Sequence, residues 1–210
     1  MPKISIILPC YNAGEYLHRS IPNCLHQTLK DIEIICVNDG STDNTAEILQ
    51  EYANKDNRIK IITQENQGTL VARKRGMEHA IGEYCMFLDQ DDFYELYACQ
   101  ELYQWIEQQK VDMVDCRYNI IEQDNTVHNW SLSSLAYQKL NSLEALEKIV
   151  DNRSNFHSVI YIWKKILSHT LYKKVASHIP IKHMISNEDI FIGTLCFYFA
   201  KTFYAVDNIY

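Results

Sequence analysis

The sequence predicts an α/β fold, a mainly parallel central sheet flanked by helices, and three observations carry that expectation. Short apolar runs rich in β-branched residues recur at positions 3–8, 32–37, 59–63 and 84–88. The segments between them have helical rather than alternating periodicity. Each run closes in a polar or glycine-bearing stretch. Strands and helices alternating at this spacing build a parallel sheet through right-handed crossovers. Ligands on such sheets bind outside the carboxyl ends of the strands.

Taken in order, residues 15–29 bring Tyr16, Ile21, Leu25 and Leu29 near one helical face, with Pro22 either kinking that helix or sitting in its first turn. A helix over 43–53 follows the capping cluster Ser41-Thr42-Asp43, and one over 69–80 ends at Gly82, a stop signal. The second half is less regular. It offers a long helix over 92–109 carrying Leu96, Leu102, Trp105 and Ile106, strands over 111–116 and 118–121, and a polar loop over 124–134. A short helix over 142–151 starts with a Ser-x-x-Glu-like pattern at Ser142 and Ala145 to Glu147, and the apolar helix over 190–200 is too short to cross a bilayer. Residues 202–206 open a strand that stops in mid-course at 207–210, so the chain is expected to be the front part of a longer protein.

Composition narrows the function. The 210 residues, 47% of them hydrophobic, suit one domain over 1–210 with a sizeable core. A net charge of −7 lacks the broad basic footprint that nucleic acid demands. The seven cysteines are odd in number, form no C-x-x-C pair and mostly sit in apolar segments, which indicates a reduced, cytosolic compartment. The start shows no secretory core, and no stretch approaches the ~18 apolar residues of a membrane span.

The chemistry concentrates at the strand ends. Asp89, Asp91 and Asp92 place three carboxylates in four positions directly after the fourth run. Carboxylates so close repel, and a divalent cation would hold them ionised. Hard oxygen ligands in an open site suit Mg²⁺ or Mn²⁺. A solvated turn with Asp92 capping the next helix is the other reading. The loops 9–14, 38–43 and 64–68 end on the same sheet edge, and although each alone makes an ordinary turn, four together favour a ligand site. None of the eight histidines forms an H-x-x-x-H pair near a Glu, and His183 stays unassigned. Lys164-Lys165 and Lys173-Lys174 read as solvated charge in preference to a face for a phosphorylated acceptor or lipid headgroup, and Trp163 as a core anchor in preference to an acceptor platform.

These residues, in order, resemble a known family. Pro9-x-Tyr11-Asn12, Gln27-Thr28, Asn38-Asp39-Gly40-Ser41-Thr42-Asp43, Asn66-x-Gly68 with Ala72-Arg73, Leu88-Asp89-x-Asp91-Asp92 and Glu188-Asp189 are similar to the motifs of family-2 glycosyltransferases of the Rossmann-like GT-A fold. The match is dense over 3–95 and thin beyond 110, where only the Trp163 tract and the Glu188-Asp189 pair carry it. The resemblance implies a nucleotide-sugar-binding half at 1–110 and an acceptor-binding half at 111–210. It implies inverting transfer from a nucleotide diphosphate sugar, usually a UDP-sugar, to a hydroxyl acceptor that is a saccharide or lipid-linked, with Mn²⁺ or Mg²⁺. A lipid-linked acceptor would bring a cytoplasmic enzyme to the inner face of the membrane. Residue by residue, it implies that Tyr11 and Asp39 meet the base above the loop from Pro9 to Asn12. Asn66 and Arg73 then lie near the nucleotide and its phosphates, and Asp89 lies by ribose and metal. Asp91 becomes the principal metal ligand, Asp189 the acceptor-activating base, and Glu188 a group that orients the acceptor. Gln90, where the family more often has a small residue, and Lys74, where Asn often follows the Arg, depart from the pattern and bear on the ribose and phosphate contacts.

Other activities fit less well. A haloacid-dehalogenase-type phosphatase carries Asp-x-Asp after its first strand rather than its fourth. A sugar-nucleotide pyrophosphorylase needs an Arg-bearing phosphate loop where residues 9–14 have no Arg. A catalytically silent nucleotide-binding module of the same fold is the alternative from a different class.

Overall fold

The computed structural model describes all of the chain except residues 122, 123, 125, 131–134, 152–160 and 182–186. His183 and part of the expected polar loop lie outside the described residues. The first half is a run of β1 (Ile4–Cys10), α1 (Leu17–Leu25), β2 (Ile32–Asp39), α2 (Thr45–Lys55), β3 (Ile59–Gln64), α3 (Thr69–His79) and β4 (Tyr84–Phe87). Its strands are parallel in the order β3-β2-β1-β4. All seven residues of β1 and all eight of β2 are buried, because helices cover both faces, so these strands read as continuous apolar runs.

The strand pleat divides the core. Ile4, Ile6 and Leu8 pack with Leu17 and Ile21 of α1 and Ile48 of α2. Ile7 points the other way, towards Leu70 and Met77 of α3. Gly76 lets α3 lie close on β1, since a Cβ there would stand 2.4 Å from Ile7 Cγ2. Gly82 does not end α3 in the left-handed region; its role is proximity, as a Cβ would meet Ser5 Oγ at 2.6 Å.

The second half extends the same sheet through α4 (Ala98–Gln109), β5 (Met113–Ile121), β6 (Val127–Trp130), β7 (Lys139–Asn141), α5 (Ser142–Asp151), β8 (Lys165–Ser168), α6 (His169–His178), α7 (Glu188–Phe199) and β9 (Thr202–Ile209). Beyond β4 the order continues β8-β5-β9-β7, with β8 antiparallel to both β4 and β5, and β5 parallel to β9. The carboxyl ends of β4, β5 and β9 and the start of β8 therefore share one edge with the ends of β1 and β2. No helix among the described residues is long and apolar enough to cross a membrane.

Several expectations change. The helix expected from residue 92 begins at Ala98, because α1 holds the preceding stretch in another shape: Asn23 exchanges bonds with the Tyr94 backbone at 2.8 and 2.9 Å. The buried Gln27 donates to Glu95 O at 3.0 Å and accepts the Cys99 N–H at 3.1 Å, covering a first-turn donor of α4. The strands expected over 111–116 and 118–121 are one strand with a register shift between Asp115 and Arg117. Pro22 stands inside α1. The capping box of α5 is Asn141 with Glu144, whose reciprocal bonds are 3.0 and 2.9 Å.

Candidate active site

The loops at the carboxyl edge are stitched into one surface. Asn12, at φ 49°, accepts the Thr42 N–H on Oδ1 at 2.9 Å, and its own N–H reaches Ser41 Oγ at 3.1 Å. Gln90 clamps the Tyr11 backbone, accepting its N–H at 3.0 Å and donating to its carbonyl at 3.4 Å. The departure from the family pattern at 90 thus ties the acid loop to the β1 loop. Asp39, 3% exposed, accepts Gln64 Nε2 at 2.6 Å and the backbone N–H groups of Gln67 and Gly68 at 2.9 and 2.8 Å. Gly68 reaches that bond at φ 85°, open to glycine without strain.

A cleft of about 290 Å³ opens over this surface, lined by Pro9, Tyr11, Asp39, Arg73, Asp89, Gln90, Asp91 and Glu188 among others. The structure brings together eight of the residues expected from the sequence. Asn12 and Asn66 are not in the lining; Asn12 is spent on the loop bonds, and Asn66 is exposed beside Gly40, its backbone N 2.7 Å from where a Cβ would stand. Asp189 also lies outside the lining; its side chain, 18% exposed, is held by Arg73.

Arg73 is the centre of the electrostatics. Its side chain is 1% exposed, Nη2 donates to Asp89 Oδ1 at 2.7 Å, and Nη1 binds Asp189 Oδ1 with Glu188 Oε1 at 4.0 Å. Its Nε has no hydrogen-bond partner among the described residues, a buried donor beside an open cleft. Burial pushes the Asp189 carboxyl up most, Arg73 pulls it down, and the Asp89 and Glu188 charges push it up again, to about 6. Asp92, drawn beside its neighbours by the Asp92 N–H to Asp89 O turn at 3.1 Å, is pushed up to about 7, first by desolvation and then by Asp89 and Asp91. It caps no helix, since α4 starts six residues later (98 − 92).

No group of three or more His, Cys, Asp or Glu side chains among the described residues is arranged to hold a metal. The donors still fit a hard cation. Asp91 is exposed with no bond on its carboxylate among the described residues, and Asp89 gives only Oδ1 to Arg73. Two such oxygens suffice for Mg²⁺ or Mn²⁺ when phosphate and water supply the remainder.

Four features differ from the sequence reading or lie outside it. Arg19 donates to the Asp91 carbonyl and lies 5.0 Å from the Phe93 ring centroid, bracing the acid loop from α1. Lys164 and Lys165 are not solvated: they are 3% and 0% exposed, each with Nζ 3.2 Å from a carboxylate oxygen of the fully buried Asp115. Burial pushes the Lys164 ammonium down to about 8 despite the nearby Asp115. Lys173 donates to the Met77 and Glu78 carbonyls at 2.9 and 2.7 Å, fixing α6 against the end of α3. Trp163 is only half-buried and forms a wall of a second cavity, about 750 Å³, that shares Asp89 and Asp91 with the cleft. The apolar flanks of the Lys164-Lys165 pair were the available signal.

A parallel sheet with a charged cleft across the ends of its first, second and fourth strands, and antiparallel β8 set beside β4, defines a GT-A-type glycosyltransferase domain. Residues 5–174 match the family described as Glycosyl transferase family 2, and the chain belongs to that family. It is 30% identical over 190 residues to the uncharacterized glycosyltransferase EpsJ of Bacillus subtilis, covering 90% of this chain and 53% of that protein. It is 32% identical over 196 residues to the cholesterol galactosyltransferase of Borreliella burgdorferi, covering 90% of this chain and 54% of that protein. The chain thus spans about half the length of these curated relatives. The crystal structure of S. aureus TarS 1-349 in complex with UDP-GlcNAc shares the fold with a TM-score of 0.79 at 21% identity, over 98% of this chain and 56% of that one. The mannosyltransferase PcManGT from Pyrobaculum calidifontis, in complex with GDP-Man and Mn²⁺, does so with a TM-score of 0.69 at 14% identity, over 99% of this chain and 56% of that one.

Proposed function

We propose that this chain transfers a sugar with inversion from a UDP-sugar to a hydroxyl of a saccharide or lipid-linked acceptor, with Mn²⁺ or Mg²⁺ as cofactor. The observation that carries the reading is Arg73, buried and paired with both Asp89 at the cleft and Asp189 beside Glu188. Asp39, at the end of β2, keeps acceptor capacity on Oδ2, which takes one N–H, so it can receive the N–H of a uracil. Asp89 and Asp91 would hold the cation, which supplies charge neutralisation for the departing diphosphate. Arg73 adds a fixed positive charge beside it. Asp189 is the base: Arg73 engages Oδ1 and leaves Oδ2 to take the acceptor hydroxyl proton. The acceptor oxygen forms its bond to the anomeric carbon as the anomeric C–O bond breaks, and the electron pair leaves on the diphosphate. Glu188, at the cleft lining, orients the acceptor.

All seven cysteines are free buried thiols, which supports the cytoplasmic location, at the inner membrane face where the acceptor is lipid-linked. A nucleotide-binding module without activity would keep the cleft and the Arg73 ion pairs but would release no UDP from a UDP-sugar.

Calorimetric titration tests the donor assignment. UDP is expected to bind more tightly with Mn²⁺ than without it, and more tightly than CDP, whose base lacks the N–H that Asp39 would accept. Asp91→Ala is expected to lose the metal-dependent part of the affinity. CDP ranking above UDP, or an Asp91→Ala protein with the parental response to Mn²⁺, would count against the assignment.

A further inference from the structure

Across Asp89 and Asp91 from the nucleotide cleft lies the cavity of about 750 Å³. Pockets that enclose small ligands run to roughly 300–1,000 Å³. Its far wall is made by β5 and the approach to β8. There the Tyr118 ring stands perpendicular to Trp163 with centroids 4.6 Å apart, and Tyr161 stacks on Trp163 at 5.5 Å. The rings form an apolar corner of the kind that takes the C–H face of a sugar.

Lys164 lies on the same wall. Its Nζ has no hydrogen-bond partner among the described residues, although it is 3.2 Å from Asp115 Oδ2 and 5.5 Å from the Tyr118 ring centroid. Asp115 must also serve Lys165, whose Nζ stands 3.2 Å from Oδ1 and has a further acceptor in the Tyr161 carbonyl at 2.6 Å. Two cations on one carboxylate leave this buried group at +1 (2 − 1). Of the three, Lys164 alone is among the residues lining the cavity, so the surplus charge lies at its wall. A buried ammonium without full compensation is costly, and an anion entering the cavity would offset that cost. The acids of the cavity, Asp89, Asp91, Asp92 and Glu95, belong to the opposite wall after β4, and Arg117 is engaged by Asp207 at 3.4 Å.

We propose that this cavity binds a sugar unit carrying one anionic group, a carboxylate or a phosphate, with Lys164 Nζ donating to the anion and the Tyr118 and Trp163 rings packing on the sugar. That the sugar belongs to the acceptor chain rests on the glycosyltransferase reading above; the chemistry of the subsite does not.

Ligand-observed NMR titration of the whole chain without nucleotide, using methyl β-D-glucuronide, glucose 6-phosphate and the neutral methyl β-D-glucoside, tests the proposal. At least one anionic sugar is expected to bind about tenfold more tightly than the neutral one, as for hydrogen bonds to a charged group. The stronger of the two identifies the anion. Lys164→Met leaves a balanced Asp115–Lys165 pair and is expected to bring all three sugars to parity with UDP affinity unchanged. Equal affinities in the parent, or a preference that survives Lys164→Met, would overturn the subsite. If Lys164→Met gives no cooperative melting transition, the selectivity of the parent decides, together with Trp163→Leu, which is expected to weaken all three sugars alike. Failure of UDP to bind would overturn the nucleotide reading and leave the glucuronide result standing.

Discussion

Burial raises the Asp189 carboxyl, and Arg73, its ion-pair partner, works against that rise. Raised to about 6, the Asp189 carboxyl is mostly ionised at neutral pH yet basic enough to accept a proton. The active form of a base is the deprotonated one, so transfer is expected to rise with pH through about 6 and level off above it. A cation held at Asp89 would move that limb downwards, because added positive charge favours the carboxylate. Asp189→Asn keeps the size of the side chain and is expected to retain UDP binding while losing at least ~10²-fold in transfer rate, together with the acid limb. Release of UDP, followed against pH for parent and mutant, measures both; a mutant with parental turnover would leave Asp189 a partner of Arg73 and no more.

At the scale of elements, the acid loop depends on α1. Its shape is set from outside by Asn23, Gln27 and Arg19, three side chains of one helix face or its immediate end. Gln27 is fully buried and uses both ends of its amide, so Gln27→Ala leaves the Glu95 carbonyl and the Cys99 N–H without their partners. Losing two buried bonds is expected to cost about 2–3 kcal/mol. In a domain of this length that lowers the melting temperature by roughly 5–10 °C. Thermal unfolding of the mutant checks the cost, and its weakened response to UDP with Mn²⁺ would separate loss of loop positioning from loss of stability alone. An unchanged melting temperature would show that residues 92–97 hold their shape without α1.

For the whole molecule, one sheet edge joins the cleft, the acid loop and the second cavity, so ligand binding there couples to global stability. UDP with Mn²⁺ at a hundred times its Kd is expected to add ~2.7 kcal/mol. That corresponds to a rise of roughly 5–10 °C in melting temperature, reversed by a chelator. A melting temperature indifferent to UDP and Mn²⁺ would remove the nucleotide site. The sequence by itself determined the order of strands and helices through β4, the edge on which the loops meet, and the acid cluster, because periodicity and turn chemistry act over a few residues. It also supplied eight of the cleft residues, through motifs that each lie within one loop or helix start. Only the tertiary structure decided that α4 begins at Ala98, that Gln90 and Asn12 tie loops together, and that Lys164 and Lys165 are buried. The reason is distance along the chain. Arg73 meets Asp189 across 116 positions and Lys165 meets Asp115 across 50, and what a charged side chain does is set by the partner that folding brings to it.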